Sequence, residues 1–507
     1  MNTYILFFIA LIPIVWLMIS LGALKMPGHK TCPGTLILTI VLAIIVWKMP
    51  AIDALTAALE GVALGLWPIM LVIVAAVFTY NLSIHTKSMD VIKKMMTGIT
   101  TDKRILVLIL AWGFGGFLEA IAGFGTAVAI PASIMAALGF RPVFAAIICL
   151  IANTTPTAFG AIGTPVTTLA KLTGLDPTNL SYAVAVQLGV LIVLVPIVLV
   201  MITEKSVKAI KGVFFITLIS GLSFAIPEVL AARYMGAELP ALLGSIVSMG
   251  ATILVAKIFY KNTAAKDAEK VSFKRGLLAW LPFILVFLII IVTSPLFPGI
   301  NSVLSRIQTS VPIYTGANAK PYTFAWIATP GTLIILATFI GGLIQGAKFG
   351  EILGVLLKTA KQMSKSALTI LSIVALAKVM GYSGMIKSIA VVLVEVTGSF
   401  YPLISPIIGA LGTFVTGSDT SSNVLFGGLQ VEVAKSLDMS PYWLAAANTG
   451  GATAGKMISP QSIAVATAAT GIQGTEGKIL NATLKFCLIY VIVLGLIIYF
   501  GAKFFPM

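Results

Sequence analysis

Gly116-Phe-Leu-Glu-Ala-Ile-Ala-Gly-Phe-Gly-Thr-Ala-Val128 and Gly412-Thr-Phe-Val-Thr-Gly-Ser-Asp-Thr-Ser-Ser-Asn-Val424 are two versions of one pattern, 296 residues apart. Each interrupts an apolar run with glycine, hydroxyl residues and a single carboxylate, then resumes. The register continues downstream, where Asn153, Thr154, Gly160 and Pro165 align with Asn448, Thr449, Gly455 and Pro460 at an offset of 295. Thr164 and Ser459 match in type just before each proline. Small-residue-rich sequences resemble one another in composition, and such residues also serve close helix packing. Neither explains matched spacing, so the reading is an internal repeat.

Around these stretches the chain is strongly apolar. Of its 507 residues 59% are apolar and 10% charged, whereas a soluble domain carries about 25% charged residues. This excludes a large soluble protein. Apolar runs long enough to cross a bilayer as helices fall at about 4–21, 34–50, 62–84, 180–203, 212–232, 239–260, 276–294, 324–344, 367–382 and 481–502. The first lacks a basic leader and a cleavage site, so it reads as a retained span and not a signal peptide. Residues 104–172 and 400–470 are apolar but too often broken by Gly, Pro, Ser, Thr and Asn to be plain spans. The net charge of +16 is spread over short loops, which argues against nucleic acid. Cys32, Cys149 and Cys487 lie too far apart for a disulfide framework or a metal motif.

Basic residues orient the chain, because cytoplasmic loops are enriched in Lys and Arg. Loops 85–104, 204–211, 257–275 and 345–366 are rich in them, while 295–323 holds only Arg306 and Lys320. The first group is therefore expected inside and 295–323 outside, with both termini outside. Span 62–84 then runs inward and its counterpart 367–382 outward. The repeats are inverted, as in secondary transporters built on discontinuous helices.

Residues 104–140 read as a re-entrant helical hairpin from the cytoplasm, broken at Glu119–Thr126. Its partner is 400–437 from outside, broken at Thr416–Asn423. The segments 142–172 and 441–470 read as single spans interrupted at 153–163 and 448–458. Their second halves open on Thr164-Pro165 and Ser459-Pro460, an N-cap hydroxyl followed by proline at the first helical position. Irregular backbone at that depth must be buried in protein or line a wet cavity. Free N–H groups at a helix start favour an anion. The candidate anion-binding residues are Thr126, Asn153, Thr154, Thr164, Ser418, Thr420, Ser421, Ser422, Asn423, Asn448, Thr449, Lys456 and Ser459.

Glu119, Asp419 and Lys456 fall near mid-depth, where a charge costs at least about 2.5–3.5 kcal/mol. Lys456 is either a structural partner for Asp419 or a counter-charge for a substrate carboxylate, and the two can alternate. Glu119 is either a neutral packed carboxyl or a proton carrier. Asp419 is the second coupling candidate, with Lys456 as its one available cation. His29 and His85 sit in loops and Arg141 at a membrane edge, where solvated or anchoring roles suffice.

Four motifs carry a resemblance over nearly the full length: Gly113-Phe-Gly-Gly-Phe-Leu-Glu-Ala-Ile-Ala-Gly-Phe-Gly125, Asn153-Thr-Thr-Pro-Thr-Ala-Phe-Gly160, Thr413-Phe-Val-Thr-Gly-Ser-Asp-Thr-Ser-Ser-Asn423 and Gly455-Lys-Met-Ile-Ser-Pro-Gln461. On these the chain resembles the lactate permease family, departing from it at Ala120-Ile121. The resemblance implies proton-coupled uptake of L-lactate, with D-lactate and glycolate as further substrates. It also implies kinship with transporters built on inverted repeats and paired hairpins.

The expected fold is thus all-α and polytopic, with about twelve full spans plus two re-entrant hairpins. Residues 1–60 form N-terminal spans, 61–210 the first repeat, 211–345 connecting spans and 346–507 the second repeat. The expected function is a proton-coupled symporter in the plasma membrane. Its partners are a small hydroxy monocarboxylate, protons and the lipid bilayer; no cofactor or metal is called for. A sodium-coupled dicarboxylate or citrate carrier of the same architecture is the alternative, disfavoured because two carboxylates ask for more than one mid-depth lysine. A membrane enzyme would need a His, Asp or Glu cluster at one face, and the sequence has none.

Overall fold

The structure is a computed structural model. It describes residues 2–503, apart from 18, 21–23, 25, 98, 124, 261–270, 294–296, 318, 473 and 474, and apart from the side chains of 76, 96, 97, 415 and 468. Most of the basic loop 257–275 and the end of the first expected span therefore lie outside the described residues, as does Phe124 in the first hairpin motif.

Helices dominate, as the apolar composition requires. Among the described residues ten helical runs are long and apolar enough to cross a membrane, or eleven if a bent pair counts as one span. Three shorter apolar helices, Thr3–Leu17, Thr126–Ala137 and Pro330–Ile344, add to these. The chain is polytopic and almost entirely α-helical. An element that the sequence reading did not anticipate is a two-stranded antiparallel sheet, Gln308–Val311 with Tyr322–Ala325, in the loop expected outside and the first residues of the expected span 324–344, whose helix starts only at Pro330. It is pinned to a helix kink by Trp67, whose indole N–H donates to the Ala325 carbonyl at 2.8 Å. The Tyr322 hydroxyl closes the contact by donating to the Trp67 carbonyl.

One order of elements occurs twice. A bent run Ala51–His85 is followed by a short helix Ser88–Thr97, then by two helical arms, Lys103–Ile121 and Thr126–Ala137. An interrupted helix, Pro142–Ala152 and Thr155–Thr173, and a long helix Pro177–Thr203 complete the set. The second series is Ser364–Ser383, Met385–Thr397, the arms Tyr401–Thr416 and Asp419–Ser436, the interrupted pair Pro441–Lys456 and Pro460–Thr470, and the long helix Glu476–Gly501. Between them lie Phe214–Tyr234, Pro240–Phe259, Phe273–Thr293, Pro330–Ile344 and Phe349–Gln362.

The arms of each hairpin pack on one another, and glycine makes the reversals. Gly123 and Gly125 have φ of 56° and 88° at the first tip, and Gly417 has 74° at the second. That region is open to glycine and strained for other residues. The first hairpin is interior: 94% of the Lys103–Ile121 window is buried in protein, against 33% for Phe273–Thr293 and for Glu476–Gly501. A helix enclosed on all sides needs no lipid-facing surface. The hairpin therefore belongs to the working centre and the other two to the periphery.

The first interrupted helix bends by 51°. Ala161, Ile162 and Gly163 all have left-handed φ, at 44°, 54° and 71°. For β-branched Ile162 this is strained, and such strain clusters at functional sites.

The second interruption is not where the spacing placed it. Residues 441–456 are one unbroken helix through Asn448-Thr-Gly-Gly451, and the break lies at Met457–Ser459. Packing is the reason for those glycines. A Cβ on Gly451 would stand 2.0 Å from the Pro406 carbonyl oxygen, and one on Gly455 2.2 Å from that of Ala410. The small residues let this helix lie directly on Tyr401–Thr416.

Candidate functional site

The tips of both hairpins and both helix interruptions converge on one cavity of about 390 Å³. The first hairpin contributes Glu119, Gly123 and Gly125, and the second contributes Thr416 through Ser421. From the interrupted helices come Thr157, Gly160, Ala161, Thr164 and Pro165, and Lys456 with Ser459 through Ser462. Toward solvent the wall passes to His29 and to Lys365, Ser366 and Thr369. Lys365 is exposed, whereas Lys456 is 8% exposed and Glu119 and Asp419 are each 2%. The cavity therefore opens beside Lys365, at the end of the molecule that carries the basic loop 345–366.

Each charged side chain has a local reason to be there. Lys456 ends its helix, where a cation complements the partial negative charge of unpaired carbonyls. Its ammonium donates to the Gly417 carbonyl, the end of a second helix, at 3.1 Å. An ammonium has three donors, so capacity remains for a ligand. Asp419 opens the second arm of its hairpin, next to the capping Ser418 that accepts from the Ser421 N–H at 3.3 Å. One Asp419 oxygen accepts from the Thr413 hydroxyl at 3.2 Å, and the other has no partner among the described residues. Glu119 has the Gly160 backbone against it, where a Cβ would come within 2.7 Å of its Oε1. Its other oxygen is unpartnered among the described residues. The Asn153 side chain lies beside Glu119 without closing a hydrogen bond of normal geometry. The three charges sense one another across the cavity: Lys456 attracts both carboxyls, and Glu119 repels Asp419.

The Ser459 hydroxyl, fully buried on the cavity wall, likewise has no partner among the described residues. Neither expected N-cap bond is made. Ser459 leaves its oxygen free, and the Thr164 hydroxyl instead donates to the Ala161 carbonyl, which the left-handed turn swings toward it. The starts of Asp419–Ser436 and Pro460–Thr470 still face the cavity, bringing the positive ends of two helix dipoles to one place.

The sequence-derived set divides in two. Glu119, Thr164, Ser418, Asp419, Thr420, Ser421, Lys456 and Ser459 line the cavity. Thr126, Asn153, Thr154, Ser422, Asn423, Asn448 and Thr449 do not. The Thr126 hydroxyl donates to the Gly123 carbonyl at 2.8 Å and closes the hairpin turn. Thr154 donates to Ile151 at 2.7 Å, and Ser422 donates to Gly409 at 2.8 Å. Asn423 receives Asn448 at 3.0 Å and Thr449 at 3.1 Å, and donates to the Pro165 carbonyl at 3.1 Å. These side chains tie the second hairpin to both interrupted helices from behind the wall. Thr157, Thr416 and the mouth residues His29, Lys365 and Thr369 were missed. Thr157 lay inside the Asn153–Gly160 motif, one helical turn beyond Asn153. The mouth comes from the starts of Gly28–Ile45 and Ser364–Ser383, outside the motifs that repeat.

A family model described as L-lactate permease matches residues 6–505. The chain belongs to the L-lactate permease family. An L-lactate permease of Streptococcus iniae is 58% identical over 86% of this permease and 93% of its own length. The glycolate permease GlcA of Escherichia coli K12 is 38% identical, covering 96% and 94%. An L-lactate permease of Bacillus subtilis 168 is 35% identical over the same 96% and 94%. Among solved structures, Neisseria gonorrhoeae MtrF, described with a class of antimetabolite efflux pumps, matches 92% of this permease and 94% of its own chain. Its TM-score is 0.50 at 14% identity, a likeness of fold alone.

Proposed function

We propose that this permease takes up L-lactate, and with it D-lactate and glycolate, by proton symport across the plasma membrane. The carrying observation is the meeting of Lys456, the unpartnered Ser459 hydroxyl and two carboxyls with unpartnered oxygens around one cavity. In this reading the substrate carboxylate lies against the Lys456 ammonium and the helix starts at Asp419 and Pro460. Ser459 donates to that carboxylate, and the substrate's 2-hydroxyl meets the Thr420–Ser421 edge. Glu119 carries the proton, with Asp419 as the second coupling group. Thr164 and Ser418 shape the wall, while Thr126, Asn153, Thr154, Ser422, Asn423, Asn448 and Thr449 hold the hairpins in register. No bond of the substrate is made or broken.

Residues 61–210 and 346–507 act as inverted repeats, their hairpins entering from opposite faces and 211–345 serving as frame. The basic loops put the open mouth at Lys365 in the cytoplasm, so this is the inward-open state. Purified permease in proteoliposomes tests the reading. Labelled L-lactate accumulates under an imposed inward proton gradient, and glycolate competes. Accumulation driven by sodium alone, with citrate or a dicarboxylate as the better competitor, overturns it.

A further inference from the structure

A second concavity lies away from the substrate cavity, on the flank between the long helices Pro177–Thr203 and Glu476–Gly501. It holds about 570 Å³ and is almost wholly apolar. Leu194 and Val198 form one wall, Ile489 and Val493 the other. Leu194 is 40% exposed and Ile489 60%, so the groove opens sideways, toward lipid in a membrane-spanning chain. Its floor is the back of the transport centre: Thr154 from the first helix interruption and Met457 from the second.

One end is charged. Lys205 lines the groove where the first long helix stops, held in a left-handed turn at φ 54°. Lys208 and Lys211 follow it. On the helix of the opposite wall Lys485, outside the groove lining itself, precedes Ile489 by one helical turn and so shares its face. All four lysines are exposed, and among the described residues none has a carboxylate within 4.0 Å. The acid next to Lys205, Glu204, points instead to Arg104 at 3.7 Å. From Lys205 to Leu191 the helix rises about 21 Å, somewhat more than the roughly 15 Å of one leaflet's hydrocarbon. An apolar channel one leaflet deep, ending in unneutralised cations on the cytoplasmic side, has the form of an acyl chain joined to an anionic headgroup.

We propose that this groove binds one anionic phospholipid of the inner leaflet. Its acyl chain lies between the two long helices, and its phosphate sits at Lys205 and Lys485. A zwitterionic lipid brings its own cation and gains less from these lysines. Because the chain touches Thr154 and Met457, an occupied groove supports both helix interruptions and sets transport rate. The binding claim stands whether or not transport is proton-coupled.

The test uses full-length permease purified from mixed phosphatidylglycerol–phosphatidylethanolamine bicelles, with retained lipid read by native mass spectrometry. Wild type is expected to keep phosphatidylglycerol in preference. Lys205→Glu with Lys485→Glu should lower its retention at least about tenfold, at about 1 kcal/mol for each lysine near an anionic surface. Leu194→Trp fills the groove, keeps every charge and should expel the same lipid. In parallel, lactate exchange by wild type should run severalfold faster in phosphatidylglycerol vesicles than in pure phosphatidylcholine. Equal retention of the two lipids by wild type overturns the proposal. So does unchanged phosphatidylglycerol retention in the charge-reversed or the Trp variant, which marks ordinary boundary lipid only.

Discussion

The Lys456 ammonium donates to the Gly417 carbonyl at 3.1 Å, and among the described residues no carboxylate oxygen lies within 4.0 Å of it. The lysine belongs to the cavity floor without being locked to Asp419. Were it a structural partner, Lys456→Ala would strand a buried carboxylate, and adding Asp419→Asn would restore folding and binding. The free geometry predicts otherwise. Lys456→Ala should abolish lactate binding in calorimetry with little change in thermal midpoint, and Asp419→Asn should not bring binding back. Rescue by the double change would return Lys456 to a structural role.

Ser459 and Thr164 were paired by sequence, yet their hydroxyls are in different states. Ser459 is unsatisfied on the cavity wall, while Thr164 is already bonded to Ala161. A hydrogen bond to a charged group contributes about 1.5–3 kcal/mol, roughly ten- to hundredfold in affinity. Ser459→Ala should therefore raise the KM for lactate by about that factor, at an unchanged protein level. Thr164→Ala should change it severalfold at most. Equal effects would mean that the free hydroxyl is not a ligand.

The chain reversals between the paired arms were legible because their breaks combine a carboxylate with glycines able to take a left-handed turn, as Gly123, Gly125 and Gly417 do. So was the convergence of Glu119, Asp419 and Lys456, since charges in such sequence need a shared polar cavity. The second interruption was misplaced because glycine has two uses that composition does not separate. At Gly417 it reverses the chain; at Gly451 and Gly455 it lets two helices touch. Asn423, Asn448 and Thr449 have the right chemistry for a ligand but spend it on one another and on Pro165. Only the spatial arrangement distinguishes a wall from its support.

Orientation rests on loop charge and can be checked by single-cysteine labelling in cells. Asp90, Gln308 and Asp438 are all exposed, so each accepts a reporter thiol. Asp90→Cys should react only after permeabilisation. Gln308→Cys and Asp438→Cys should react from outside. If positions 90 and 438 label from the same face, the repeats are not inverted, and the cytoplasmic placement of the open mouth loses its support.

Coupling turns on the charge count of the cavity. With both carboxyls ionised and Lys456 charged, the buried end of the cavity holds one excess negative charge, Lys365 standing exposed at the mouth. A bound lactate anion would add a second inside the protein, where like charges repel more strongly than in bulk water. Loading a proton together with the anion removes that penalty, which is the physical content of symport here. The two carboxyls are not equivalent receivers. Each has one oxygen without a partner among the described residues, but the other Asp419 oxygen accepts the Thr413 hydroxyl, whereas Glu119 has the bare backbone of Gly160 against its other oxygen. Glu119→Gln keeps the shape and fixes the neutral state. That variant should lose lactate accumulation under an imposed proton gradient yet still exchange labelled for unlabelled lactate at equal concentrations. Its exchange should also become insensitive to pH between 5.5 and 8, a range set by the assay. Normal accumulation with normal pH dependence would remove Glu119 from the cycle and leave Asp419 as the proton carrier.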